Sequence, residues 1–348
     1  MSRKTKILLV YTGGTIGMIQ NPKTGELTPF DFEHLLSLVP EISRLPTDIQ
    51  TISFQKPLDS SDIQPAHWVQ MAEIIENHYD RFDGFVILHG TDTLSYSASA
   101  LSFMLEGLNK PVIFTGSQLP IGVVRTDGKE NLITAIEIAS DYRKGKPVVP
   151  EVAVYFEYKL MRGNRTYKYS ADYFDAFRSE NYPILAEAGI SIDYNFQFIA
   201  SWHPSKLSVH KQLCDEVAIL KVFPGIKKEW VESYLRLPAL KGLVLETFGS
   251  GNATTQPWFI ETLRKLIDKG VVVVNVTQCK KGSVHQGKYA TSAAFEKIGV
   301  LSGFDITFES ALTKLMFLLG NPQLSDQERR QLFVKPIRGE MTVSESQF

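Results

Sequence analysis

The chain has 348 residues, 43% of them apolar and 22% charged, and 37 basic side chains against 38 acidic ones leave a net charge of −1. Such a length exceeds one ordinary core and suits two α/β domains. The near-neutral balance, without a lysine/arginine block or an arginine stripe, argues against nucleic-acid or membrane binding through bulk charge.

In chain order, the amino terminus leads directly into the apolar run Ile7–Tyr11, which is too short for a signal-peptide core, and no later run approaches a membrane span. The expectation is a soluble cytoplasmic protein. Ile7–Tyr11 predicts a buried strand and ends in Thr12-Gly13-Gly14-Thr15. Two glycines after a strand permit a tight turn, and Thr15 then presents a hydroxyl and a backbone N–H. That hydroxyl is a nucleophile only if a neighbour takes its proton; otherwise the turn binds phosphate or simply connects. Ile52–Leu58 leads into Asp59-Ser60-Ser61-Asp62, which suits a polar turn or helix cap, or hydrogen bonds from Ser60 to a ligand carboxylate.

An amphipathic helix is predicted over Pro65–Tyr79, and a buried strand over Phe85–Leu88 ends in His89-Gly90-Thr91-Asp92. Asp92 there either meets a substrate ammonium or, with Thr93, caps the helix that follows. His89 sits at the end of an apolar strand and reads as a packed, hydrogen-bonded side chain. Ser95–Leu105 predicts a helix, Val112–Phe114 a strand ending in Thr115-Gly116-Ser117-Gln118, and Asn131–Tyr142 a helix. Val152–Phe156 is a strand followed by the basic segment Arg162–Lys168, either solvated or delivering a lysine to a Thr–Asp pair.

The pattern breaks near Ala188 and resumes with strands at Val217–Val222, Leu243–Leu245 and Val271–Val276, and helices at Gln256–Lys269 and Glu309–Leu319. Alternation of strand and helix predicts βαβ units. The expected fold is α/β in two domains. A larger N-terminal, mostly parallel sheet flanked by helices covers 1–190, a linker covers 191–215, and a smaller C-terminal α/β domain covers 216–348. The tail after Arg338 reads as polar and frayed. Small, hydroxylated and glycine residues gather at the carboxyl ends of strands, where open α/β sheets hold ligands.

Other chemistries fit worse. Cys214 and Cys279 make no framework, and there is neither a His-Glu-x-x-His nor a Cys-x-x-Cys pair for zinc. A Gly-x-Ser-x-Gly elbow and a dinucleotide glycine fingerprint are absent too, and the run Gly282–Tyr289 misses a P-loop at its last position.

Thr-Gly-Gly-Thr-Ile-Gly at 12–17 and His-Gly-Thr-Asp-Thr at 89–93, in this order, resemble the bacterial-type L-asparaginase/glutaminase family. The likeness extends through 59–62, 115–120, 163–168, 249–252 and 289–291, nearly the whole chain. Tyr-Thr-Gly-Gly-Thr-Ile-Gly-Met resembles the cytoplasmic type I branch. The resemblance implies hydrolysis of L-asparagine to L-aspartate and ammonia without a cofactor or metal. Thr15 would form the acyl-enzyme in a catalytic N-terminal domain, and Thr91, Asp92 and Lys168 the second cluster. It also implies substrate contacts from Asp59, Ser60, Gly90 and Ser117. Asn252 matches a position that reaches a neighbouring subunit's site, implying a homodimer or homotetramer.

Two departures matter. The loop Asn21–Pro29 lacks the tyrosine that many relatives place there, and Tyr289 matches the one that type I relatives use. The identity of the base is left open, because a tyrosine hydroxyl with an ordinary pKa of about 10 needs help at neutral pH. Some type I enzymes bind asparagine at an effector site that includes a cysteine matching Cys279, an arginine and a threonine. The last two positions here are Glu246 and Tyr167, and Glu246 would repel the effector's carboxylate. A hyperbolic rate curve is therefore expected. Two other readings compete: an amidotransferase subunit that liberates ammonia for a partner, and an amino-acid sensor that needs only Ser60 and Asp92.

Overall fold

A computed structural model describes residues 3–20, 27–29, 38–287 and 290–343. The chain divides into two units, Met1–Lys211 and Gln212–Phe348.

The first unit holds an eight-stranded sheet. Its strands are β1 (Thr5–Gly13), β2 (Thr47–Leu58), β3 (Gly84–Leu88), β4 (Val112–Thr115), β5 (Val152–Phe156), β6 (Lys159–Arg162), β7 (Ala186–Ala188) and β8 (Ile192–Tyr194). Strands β2, β1, β3, β4 and β5 lie side by side in that order, all parallel. Strands β6, β7 and β8 extend the sheet antiparallel. Strands β3, β4 and β5 are buried at every position, as parallel strands covered on both faces must be. Helix α1 (Pro65–His78) lies in sequence between β2 and β3, α2 (Leu94–Met104) between β3 and β4, and α3 (Gly128–Ser140) between β4 and β5. Leu132, Ala135, Ile136 and Ala139 of α3 share a solvent-free core with Ile7, Leu9, Val86, Leu88 and Ile113 of the sheet. Each large aliphatic side chain buried there contributes roughly 1.5–3 kcal/mol.

The order 2-1-3-4-5 reverses direction at β1. The chain leaves β1 for β2 on one side and returns to β3 on the other, so the carboxyl ends of β1 and β3 flank a topological switch point, where such sheets bind ligands.

The second unit is a four-stranded parallel sheet of β9 (Val217–Lys221), β10 (Gly242–Thr247), β11 (Val272–Thr277) and β12 (Leu301–Ser302), in that order. Helices α4 (Lys228–Glu232), α5 (Pro257–Asp268), α6 (Ala290–Ile298), α7 (Phe308–Gly320) and α8 (Asp326–Phe333) accompany it. Leu243, Leu245, Phe259, Leu263, Val273 and Phe295 form its fully buried centre.

The two-domain α/β expectation stands. Strand β2 was missed because it is the polar sheet edge, with most of its side chains in contact with water. The short β6, β7 and β8 escaped because three or four residues carry no readable periodicity. Within 191–215, read from sequence as a connection, Ile192–Tyr194 pairs onto the large sheet and Ser208–Val209 pairs with Leu105–Glu106. The tail does not fray directly after Arg338: Glu340 and Met341 are buried. Among the described residues, no helix is long and apolar enough to cross a membrane.

Candidate active site

Strand β1 ends in a bulge, where the register to β2 shifts between Tyr11 and Gly13. Gly13 and Gly14 both have positive φ, 128° and 89°. A Cβ on Gly13 would lie 2.1 Å from the Leu58 carbonyl oxygen, and the Gly14 N–H donates to that same oxygen across 3.0 Å. The chain then makes one 3₁₀ turn, Thr15–Gly17, that leaves Thr15 half-buried.

The next strand brings the second motif against the first. A Cβ on Gly14 would meet Gly90 Cα and N at 2.4 Å, and one on Gly90 would meet Ser60 Oγ at 2.6 Å. The glycines are required because two backbones and a serine occupy the volume that side chains would need. Ser60 sits in the 3₁₀ turn Ser60–Asp62, capped by Asp59, whose Oδ1 accepts from the Ser61 N–H and hydroxyl, both at 2.8 Å. These bonds hold the Asp59 carboxyl below its ordinary pKa. The Ser60 carbonyl accepts from Thr93 Oγ1 at 2.6 Å, and Ser60 Oγ accepts from the Asp92 N–H at 3.3 Å.

Lys168 completes this side of the site. Its Nζ donates to Thr91 Oγ1 at 2.8 Å and to Asp92 Oδ1 at 2.6 Å. It stands on a two-residue strand paired with Phe177–Arg178. The basic segment before it is not solvated: Arg162 is buried with its Nε 2.6 Å from Glu151, and Arg165 is 2% exposed, 5.0 Å from the Tyr182 ring centre. Thr166 Oγ1 donates to the Arg162 carbonyl at 2.7 Å, fixing the turn that aims Lys168.

Ser117, after β4, is buried and donates to the Leu119 carbonyl at 2.5 Å. Two neighbours were missed in the sequence. Asp127 accepts from the Gln118 N–H at 2.9 Å and the Leu119 N–H at 3.2 Å. Burial raises its pKa and these bonds oppose the rise. Gln118 Oε1 faces Thr91 Oγ1 at 3.0 Å. Its position at a strand end was the only sequence signal.

The first unit thus brings together Gly14, Ser60, Gly90, Thr91, Asp92 and Lys168, with Thr15 and Ser117 on adjoining turns. Asn252 belongs to the second unit, where its backbone bridges to Phe248 through two 2.8 Å hydrogen bonds. Tyr289 and residues 21–26 lie outside the described residues.

A threonine turn at the switch point of an open α/β sheet, beside a Thr–Lys–Asp cluster, is the equipment of an amidohydrolase with a hydroxyl nucleophile. The chain belongs to the asparaginase family: residues 6–200 match its N-terminal domain, and residues 216–333 match the glutaminase/asparaginase C-terminal domain. It is 44% identical over 346 residues to L-asparaginase 1 of Escherichia coli, covering 98% of this chain and 99% of that one. It is 41% identical to the 60 kDa lysophospholipase of Mus musculus, of which it spans 64% while 99% of this chain is covered. The crystal structure of L-asparaginase I from Vibrio cholerae superposes with a TM-score of 0.89 at 39% identity, covering 98% of this chain and all of that one.

Proposed function

We infer that the chain hydrolyses L-asparagine to L-aspartate and ammonia through an acyl-enzyme on Thr15. The observation that carries this reading is the Gly14–Gly90 contact, which packs the Thr15 turn against the Thr91–Asp92 turn and the Ser60 hydroxyl.

The substrate is a zwitterion with a neutral side-chain amide. Its ammonium needs a fixed carboxylate, which Asp92 supplies, and its carboxylate needs hydroxyl and N–H donors, which Ser60 and the Asp59–Ser61 turn supply. Gly90 leaves room for it, and Ser117 lines the amide end. Thr15 Oγ attacks the amide carbon while a base removes its proton; Tyr289 is the candidate that the type I resemblance offers for that base, and the Thr91–Asp92–Lys168 cluster positions the reacting groups. Backbone N–H groups of the glycine turn stabilise the oxyanion. Ammonia leaves with an added proton, and water then adds to the acyl carbon and releases Thr15 with its hydrogen restored. No cofactor or metal is needed for these steps. L-Glutamine differs by one methylene, worth roughly 1–3 kcal/mol in an apolar pocket, so ammonia release from L-glutamine measured beside that from L-asparagine sets the ratio of the two activities.

The type I motif supports a cytoplasmic location, and Asn252 supports a homodimer or homotetramer in which one protomer completes its partner's site. A protein that is fully active as a monomer in sedimentation at assay concentration would refute the shared site. The central test is ammonia release from L-asparagine by wild type and Thr15→Ala. Turnover abolished in a folded variant is expected. Unchanged turnover would remove Thr15 as nucleophile, and saturable binding without wild-type turnover would indicate a sensor.

A further inference from the structure

We propose that Gln118 is a positioning residue that fixes the direction of the Thr91 hydroxyl hydrogen, and so makes the Thr91 oxygen a hydrogen-bond acceptor toward Lys168 and toward the reacting water. This role rests on the hydrolase reading above.

The argument is an inventory of hydrogens. A primary amide carries one acceptor oxygen and an N–H₂ with two donors. Gln118 Nε2 lies 3.1 Å from the Ala171 carbonyl and 3.1 Å from the Tyr173 carbonyl. Carbonyls only accept, so the nitrogen must face them; turning the amide over would set its oxygen against both. Gln118 Oε1 therefore faces Thr91, and across that 3.0 Å contact only Thr91 can donate. The other partner of Thr91 Oγ1 is the Lys168 ammonium at 2.8 Å, which has no lone pair and must donate. Thr91 has one hydrogen and it goes to Gln118. Of its two lone pairs, one receives Lys168 and the other is left to accept a further hydrogen.

Gln118 is suited to hold this arrangement because it is anchored at both ends. Its backbone N–H is held by the buried Asp127 at 2.9 Å, and its side-chain nitrogen grips the segment that follows Lys168. Without it, the Thr91 hydroxyl becomes a rotor that can point its hydrogen at the water and repel the water's own hydrogens. Orienting that water by accepting its hydrogen bond serves the hydrolytic step rather than substrate binding, which belongs to Ser60 and Asp92.

The test compares wild type, Gln118→Met and Gln118→Glu in steady-state ammonia release. Methionine keeps the length and removes all three hydrogen bonds. Glutamate keeps an acceptor for Thr91 and lacks donors for the carbonyls of Ala171 and Tyr173. In Gln118→Met, kcat is expected to fall about tenfold to a hundredfold, with KM changed by less than about threefold. In Gln118→Glu, kcat is expected to recover to within about fivefold of wild type. A kcat within about twofold of wild type in Gln118→Met, or a loss confined to KM, overturns the proposal. Equal losses in both variants place the effect in the tether to 171–173 and overturn the Thr91 role. An inactive wild type refutes the hydrolase reading itself, whereas an active wild type with an unaffected Gln118→Met refutes this role alone.

Discussion

His89 ends the fully apolar strand β3 and is 1% exposed. Its Nδ1 lies 2.7 Å from the Gly90 carbonyl, which only accepts, so Nδ1 carries the hydrogen. Its Nε2 then accepts from Ser97 Oγ at 2.9 Å, and that oxygen accepts from Trp68 Nε1 at 2.9 Å. Burial drives its pKa from 6.5 down to about 4, opposed by the bond to Gly90. The ring is neutral at pH 7 and packs rather than titrates, as its sequence setting suggested. The folded state binds this proton less readily than the unfolded chain. The stabilisation is therefore complete above about pH 6.5 and is lost progressively as pH falls toward 4, by roughly 3 kcal/mol in total. Urea midpoints at pH 7 and 4.5 should diverge more for wild type than for His89→Gln. Equal acid losses in both would contradict this account. At this scale the sequence was informative about residue types, since the glycines, hydroxyls and Asp92 were recognisable from their places after strands. What it did not reveal was which hydroxyl faces which partner.

Among the elements, α7 carries the least expected side chain. Lys314 lies in the middle of this helix and is fully buried, paired with the equally buried Glu340. Its Nζ also donates to the carbonyls of Phe333 at 2.8 Å and Lys335 at 2.6 Å. Glu340 accepts from the N–H groups of Ile337 at 3.1 Å and Arg338 at 2.7 Å. This network fastens the segment beyond α8 to α7, which is why the tail is ordered past Arg338. Glu340→Ala leaves an ammonium buried without its counter-charge and should cost about 3–5 kcal/mol. The double variant Lys314→Met/Glu340→Leu should cost less than Glu340→Ala alone, because no charge is left stranded. Guanidinium denaturation of both variants decides the matter, and a double variant as unstable as Glu340→Ala would show the pair to be worth more than its desolvation. A lysine and a glutamate 26 positions apart give no sequence signal of pairing. The long elements were legible because burial imprints a period on many residues, as the expected and observed ranges of α1, α5 and α7 show.

For the whole molecule the relevant question is how rate depends on substrate concentration. Glu246 places a carboxylate where the effector site of some relatives uses an arginine; its side chain is 12% exposed and 3.7 Å from the Lys221 ammonium. Tyr167 is buried and Cys279 is exposed as a free thiol. An amino-acid carboxylate finds a like charge there, so initial rates against L-asparagine should follow a hyperbola. A strongly sigmoidal curve would show that an effector site persists in a remodelled form. The sequence by itself determined the alternation of the longer buried strands and amphipathic helices, the α/β class and the two motifs, because each depends on neighbours within a few positions. The tertiary structure alone decided that Gly14 touches Gly90, that Gln118 takes the Thr91 hydrogen, and that Lys314 meets Glu340. Those contacts join residues far apart in the chain, and they exist only where packing brings separate backbones within hydrogen-bond reach.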